Sequence, residues 1–161
     1  MMCLMETRFI ADVNVGKLAK WLRIMGYDTL FFRDIEDGEL VDIALAENRV
    51  LLTRDTHIMK RKVVTGGEVK AVLIKKDKLQ KQLVQVMGET GIDGQLRFSR
   101  CIECNQPLAD RDKSDVAELV PPYVYATQHQ YMQCVYCGKV YWRGTHWERM
   151  DRELESLEEG D

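Results

Sequence analysis

Nowhere in the 161 residues does an apolar run approach the roughly 18 consecutive residues of a membrane span, which argues against a helical membrane protein. The N-terminal Met1-Met2-Cys3-Leu4-Met5 lacks the basic start and long apolar core of a signal peptide, so a cytoplasmic protein is the expectation. Proline is scarce: three residues, Pro107, Pro121 and Pro122, all in one stretch of the second half. Internal repetition is missing apart from a doubled Cys-x-x-Cys. An excess of one charge is missing too. Residues 1–95 carry 15 Lys and Arg against 14 Asp and Glu, residues 96–150 carry 7 against 6, and the last eleven carry 1 against 6. The net charge of −3 therefore comes from the tail. Such a balance does not argue against a nucleic-acid partner, because local basic patches decide that.

With 45% hydrophobic and 30% charged residues, the chain suffices for one α/β domain of ordinary size and a small appendage. Five cysteines fall as an isolated Cys3 and two pairs, Cys101-x-x-Cys104 and Cys134-x-x-Cys137. In a reducing compartment such pairs indicate metal more often than disulfide. Each turn offers two thiolates at one corner of a tetrahedron, and Gly138 follows the second where φ > 0 is needed. The prolines make the stretch between the pairs loop-like, with short strands. A segment of roughly 55 residues hardly keeps a core without help, and structural zinc contributes on the order of 10 kcal/mol to such modules. Zinc held by Cys101, Cys104, Cys134 and Cys137 is expected, with no coordination position left open for chemistry. Scattered core cysteines, or a rubredoxin-type iron site of similar spacing, are the alternatives.

Before the cysteines, short apolar strands alternate with amphipathic helices. Arg8-Phe9-Ile10-Ala11 reads as a buried strand, and Leu18, Trp21, Leu22 and Met25 mark one face of a helix stopped by Gly26. Asp28–Phe32, Val50–Thr53 and Val69–Ile74 read as further strands. Helices are expected from Leu40 to near Asn48 and over Lys78–Met87, with a helical turn around His57–Lys62. This alternation predicts α/β architecture, a mostly parallel sheet of four or five strands with helices on both faces. The pattern stops around Gly91–Gly94, which divides the chain into an α/β domain over 7–95, a cysteine-bearing module over 96–150 and an acidic tail over 151–161.

Three acids stand out by position. Asp12 follows the first strand, Asp37 lies where the helix after the second strand begins, and Asp55 comes two residues after the third strand. Parallel strands end on one edge, and that carboxyl edge is where open α/β sheets bind ligands. Three carboxylates gathered there repel one another unless a hard cation such as Mg2+ or Mn2+ neutralises them. Such an ion can activate water and stabilise charge on a scissile phosphate. Taken singly, each aspartate also fits a helix cap or turn residue. Glu36, Glu39 and Asp42 compete with Asp37 for its role.

Several stretches together resemble PIN-like nucleases, and more closely the Mut-seven C-terminal ribonuclease family, a PIN-like domain followed by a zinc ribbon. They are Phe9-Ile10-Ala11-Asp12 leading into Gly16–Arg23 and Gly26–Thr29, Asp37-Gly38-Glu39-Leu40 running to Ala44, Arg49–Asp55, and Cys134–Trp147. The resemblance spans about residues 8–150. It implies a PIN-like three-layer α/β/α domain over 7–95, a small C-terminal zinc ribbon over 96–150, and metal-dependent endoribonuclease activity on single-stranded RNA. It also implies Asp12, Asp37 and Asp55 as the acids, and products with a 5′-phosphate and a 3′-hydroxyl. One departure stands out: His57 occupies the place where many PIN-like domains carry a further acid, which favours a single firmly bound metal.

Lys17, Lys20 and Arg23 fall off the apolar stripe of the first helix, and Arg54 adjoins Asp55, with Lys60-Arg61-Lys62 close behind. All are candidates for phosphate contacts. Solvation of exposed helix faces is the plainer alternative. Tyr136, Tyr141, Trp142, His146 and Trp147 can stack on unpaired bases or pack the ribbon against the α/β domain, and packing is expected for the two tryptophans. Trp21 is expected in the core. The rival reading of the whole chain is a non-catalytic RNA- or ribosome-binding module on the same fold, which His57 favours. A DNA nuclease or phosphatase on the same carboxylates is the third.

Overall fold

The computed structural model describes residues 6–144 together with Glu148 and Arg152. Cys3, His146, Trp147 and nearly all of the acidic tail lie outside the described residues. Four short strands, β1 (Phe9–Ala11), β2 (Thr29–Phe31), β3 (Val50–Thr53) and β4 (Ala71–Leu73), form one sheet in the order β2-β1-β3-β4. Every neighbouring pair is parallel. Five helices accompany them: α1 (Gly16–Ile24), α2 (Asp37–Ala46), the single turns α3 (Thr56–Met59) and α4 (Lys62–Thr65), and α5 (Leu79–Thr90).

Strand alternation explains the three layers. Phe9, Ala11, Val50 and Leu52 face one side and bury Leu18, Leu22, Leu83 and Val86 of α1 and α5. Ile10 and Leu51 face the other and bury Leu40, Val41, Ala44 and Ile58 of α2 and α3. Each valine, leucine, isoleucine or phenylalanine among them contributes roughly 1.5–3 kcal/mol by leaving water. The strands are therefore apolar at every position except Thr29, which opens β2, and Thr53, which closes β3, both fully buried, as a sheet covered on both faces requires. The α1 helix ends in a Schellman motif, with Gly26 N–H bonding Arg23 O and Tyr27 N–H bonding Leu22 O, both at 2.9 Å. Gly26 has φ +94°, and a side chain there would also collide with Ser99, so the glycine serves both the helix stop and the approach of the second module.

That second module carries an antiparallel sheet, β5 (Leu108–Arg111), β6 (Tyr131–Cys134) and β7 (Val140–Trp142), in sequence order. The stretch between the cysteine pairs is more ordered than its prolines suggested. A 3-10 turn at Lys113–Val116 and the helix α6 (Pro122–Thr127) enclose a small core of Val116, Val120, Val124 and Tyr131. Pro122 sits at the first helical position, where a missing N–H costs nothing, so here proline starts a helix rather than preventing one.

A second small cluster forms the seam. Ile24 of α1 packs with Phe98, Cys101, Cys134 and Tyr141, while Trp21 lies half-buried against both this cluster and the main core. Hydrogen bonds lock the seam: Phe98 N–H to Ile24 O at 3.1 Å, and Thr29 N–H to Asn105 Oδ1 at 2.9 Å. Asn105 Nδ2 reaches Asp28 Oδ1 at 2.7 Å.

Candidate functional site

The chain moves from β1 outward to β2, then crosses back to β3 on the opposite side of β1. Strand order thus reverses between β1 and β3, and the crevice beyond their carboxyl ends is where open α/β folds bind ligands. Asp12 and Asp55 both lie there. Asp12 extends the ladder one residue past β1, its N–H bonding Leu52 O at 2.9 Å, and is only 6% exposed. Its Oδ1 accepts from Val13 N–H at 2.8 Å, capping the 3-10 turn Val13–Val15, and its Oδ2 accepts from the Thr53 hydroxyl at 2.7 Å. Thr53 Oγ1 in turn accepts from Asp55 N–H at 3.0 Å. Asp55 caps α3 through His57 N–H at 2.8 Å. One fully buried hydroxyl therefore joins the two acidic loops, and Asn14 Oδ1, accepting from Arg54 N–H at 3.3 Å, laces them again.

Asp37 is the half-buried first residue of α2, and the positive end of the helix dipole favours its charge. It shares the carboxyl edge, because α2 starts from the loop after β2. Among the described residues, however, the three aspartates do not gather within 4.8 Å as the four cysteines do. Capping leaves capacity for a cation, since a carboxylate accepts at about four lone-pair sites.

Other candidates divide. Lys17 and Lys20 are exposed on the outer face of α1, as expected of phosphate-binding groups. Arg23 is a correction. It is only 8% exposed, donates through Nε to Thr29 O at 2.9 Å and through a terminal nitrogen to Ile102 O at 2.7 Å, and ties α1 to the second module. Burial lowers its pKa against the pull of Cys101 and Glu103. The helical stripe left Arg23 on the polar side, but that side is covered by a module far away in sequence. Arg54 turns toward the loop before α5, bonding Lys76 O at 2.8 Å and pairing with Asp77 at 2.7 Å. His57 and Lys60-Arg61-Lys62 are exposed.

Thr53 and Phe32 escaped the sequence reading. Thr53 looked like the end of a strand, yet a hydroxyl two residues before a capping acid was its available signal. Register pairs Ala11 with Phe31, so Asp12 and Phe32 stand one step further along adjacent strands. Phe32 is 40% exposed and Val13 is 55% exposed, so apolar surface flanks the buried acid.

The cysteines form two knuckles of the same construction. Cys101 N–H bonds Gln106 O at 2.8 Å and Cys134 N–H bonds Lys139 O at 2.9 Å; Asn105 and Gly138 return their N–H groups to Cys101 O and Cys134 O, each at 2.9 Å. Both turns need left-handed backbone, met by Gly138 at φ +81° and by Asn105 at φ +62°. The four sulfurs lie within 4.8 Å of one another, and Cys101 and Cys137 are 3.7 Å apart. A tetrahedron with Zn–S arms of about 2.3 Å has edges of about 3.8 Å, so this donor set fits zinc. Burial and then the neighbouring thiols push the Cys104 thiol up to about 12. Burial also raises Cys134, but the N–H groups of Cys137 and Tyr136 outweigh it and bring that thiol to about 7. Tyr141 is a second correction as a stacking candidate: it is 6% exposed, and its hydroxyl takes Ile102 N–H at 3.1 Å and lies 3.2 Å from Cys101 Sγ. Trp142 packs, but within the module's own small core rather than on the seam. Tyr136 remains 80% exposed.

Fold and site together define a doubly wound α/β domain with two laced acidic loops at its switch point and a four-cysteine module on its first helix. The chain matches the sequence model of the Mut7-C RNAse domain over residues 7–154 and belongs to that family. Membership brings a ribonuclease-type function and RNA as the class of substrate. No curated protein matches the chain. Among the described residues, no helix is long and apolar enough to cross a membrane.

Proposed function

We propose that the protein is a divalent-metal-dependent endoribonuclease that hydrolyses single-stranded RNA at the carboxyl edge of its parallel sheet. The observation that carries this reading is the Asp12–Thr53–Asp55 linkage, which fixes two acids from distant loops at the switch point of a ribonuclease-family fold. Asp12, Asp55 and Asp37 would hold Mg2+ or Mn2+, Asp37 through a rotamer change or an intervening water, which Mg2+ commonly keeps. The ion would supply a lowered pKa for an attacking water and charge neutralisation on the scissile phosphate. Thr53 holds Asp12 in one orientation, and Asn14 holds the loop that carries Asp55. Phe32 and Val13 offer apolar faces to unpaired bases beside the acids, which supports a single-stranded substrate. Lys17 and Lys20 draw the backbone along α1. Within this reading, residues 7–95 form the nuclease domain and 96–150 a structural zinc ribbon, and a zinc-thiolate protein belongs in the reducing cytoplasm.

The test uses labelled single-stranded RNA with wild type and Asp12→Asn, with and without added Mn2+. Cleavage by wild type alone, dependent on the added ion and leaving 5′-phosphate ends, supports the proposal. Equal cleavage in all samples reveals a contaminant and rejects it. One observation favours a second reading, a non-catalytic RNA- or ribosome-binding module: the three aspartates do not converge as tightly as the cysteines. RNA binding without cleavage in any metal would select it. A parallel panel of DNA and phosphomonoesters separates other phosphate chemistry.

A further inference from the structure

The ribbon carries a site of its own. Between residues 97–99 and strands β5 and β6 lies an open cleft of about 520 Å3, within the range of small-ligand sites. Arg97, Arg111, Arg143 and His129 line it, and Asp110 is the single acid among its described lining residues, while Arg97 is already paired with Asp93. The guanidiniums are not equivalent. Arg97 is fixed in place, donating to Met25 O at 3.1 Å and Asp93 at 2.7 Å while lying 5.2 Å from the centre of the Tyr27 ring. Arg111 is oriented through Nε by Gln133 Oε1 at 3.0 Å and forms no ion pair among the described residues. Its planar fork suits a phosphate. Phe98 and Leu108 add an apolar floor.

The cleft's position gives it meaning. Arg97 bonds the carbonyl of Met25, which caps the C-terminus of α1, whereas Asp12 stands before the start of that helix. Nine residues at about 1.5 Å each place the two ends about 13 Å apart. Lys17 and Lys20 lie exposed between them, on the outer face whose last turn, at Ile24, the ribbon covers. At about 3.4 Å per nucleotide of one strand, that span is roughly four stacked nucleotides.

We propose that the ribbon cleft is a second RNA-phosphate site, which holds the strand several nucleotides from the acidic edge and sets a minimum substrate length. The proposal rests on the ribonuclease reading for the identity of its ligand, but its test does not depend on cleavage.

Fluorescence anisotropy of labelled oligouridylates on the full zinc-loaded chain, before any Mg2+ or Mn2+ is added, provides that test. Wild type is compared with Arg111→Glu/Arg143→Glu. For a 12-mer the expected result is at least tenfold weaker binding, and a log–log salt slope shallower by about 1.4, near 0.7 for each lost contact to a single strand. A 4-mer, long enough for the helix or the cleft but not for both, is expected to bind wild type more weakly than the 12-mer and to lose less affinity on substitution; a 4-mer bound as tightly as the 12-mer overturns the minimum length. Unchanged 12-mer affinity and slope overturn the proposal. Competition by uridine monophosphate as strong as by the 12-mer also overturns it, assigning the cleft to a free nucleotide. Zinc content and near-UV circular dichroism check the fold, and Arg111→Gln, expected to give about half the slope change, serves if the double variant loses zinc. Cleft-dependent binding with no cleavage in any metal would reject the nuclease reading alone and support the cleft.

Discussion

Replacing Thr53 by valine removes one hydroxyl from a site where it does two jobs. The side chain is fully buried and nearly isosteric, so the change deletes the hydrogen bond to Asp12 Oδ2 at 2.7 Å and the acceptor for Asp55 N–H at 3.0 Å without opening a cavity. A hydrogen bond to a carboxylate is worth about 1.5–3 kcal/mol and one between neutral groups about 1 kcal/mol. The added methyl returns up to about 1 kcal/mol. The net loss is about 2–3 kcal/mol, equivalent to roughly 4–12 °C in Tm for a chain of this size. Cleavage should fall by about 10²-fold, because an acid released from its anchor is misplaced by about an ångström. Thr53→Ser is the control. It keeps the hydroxyl, loses a methyl worth about 1 kcal/mol, and should cleave within about threefold of wild type. Urea melts and initial rates on the same preparations read both quantities. If Thr53→Val and Thr53→Ser match in stability and in rate, the hydroxyl linkage does not organise the site.

Other expectations concern the seam and the zinc. Asn105→Gly retains the left-handed backbone but removes bonds to the Thr29 N–H and Asp28, so urea melts should show a loss of about 3–5 kcal/mol, with Asn105→Ala about 1 kcal/mol worse. Equal stabilities for Asn105→Gly and wild type would refute that role. Burial raises the Asp28 carboxyl, but its bonds to Arg49 and Asn105 outweigh burial and leave it below the usual range. Its contribution is therefore complete above about pH 3.9, the unfolded value, and is lost as pH falls through the lower folded value. The stability gap between wild type and Asp28→Asn should accordingly be constant from pH 7 to about 5 and close in stronger acid. Withdrawal of zinc by a chelator, or Cys104→Ser, should melt the ribbon and its seam with Trp21, read as a tryptophan fluorescence change, while the two clusters around the parallel sheet persist. An unchanged fluorescence melt would mean the ribbon holds without metal.

Strand and helix order was legible because its signals are local. Apolar runs such as Val50–Leu52, the stripe through Leu18 and Leu22, and Gly26 as a helix stop each act over a few residues. The four cysteines were legible for the same reason, since each knuckle is built within six residues. Asp12 and Asp55 could be placed at one edge because parallel strands have only one carboxyl end. Arg23 misled because helical periodicity shows which side of α1 is polar, not what lies against that side. Tyr141 misled likewise, as its pairing with Cys101 joins residues 40 apart. Asn105 went unread although it holds the same offset after its cysteine pair as Gly138.

The sequence by itself determined the sheet's parallel sense, the position of each acid relative to its strand, and the grouping of four cysteines into two turns suited to one metal ion. These follow from periodicity and short-range covalent geometry. The tertiary structure alone decided that a buried threonine joins two acids, that an arginine on α1 serves a seam, and that scattered arginines of the ribbon share a cleft. Contacts of that kind depend on how separately formed elements meet in space, and no local pattern of residues encodes the distance between them.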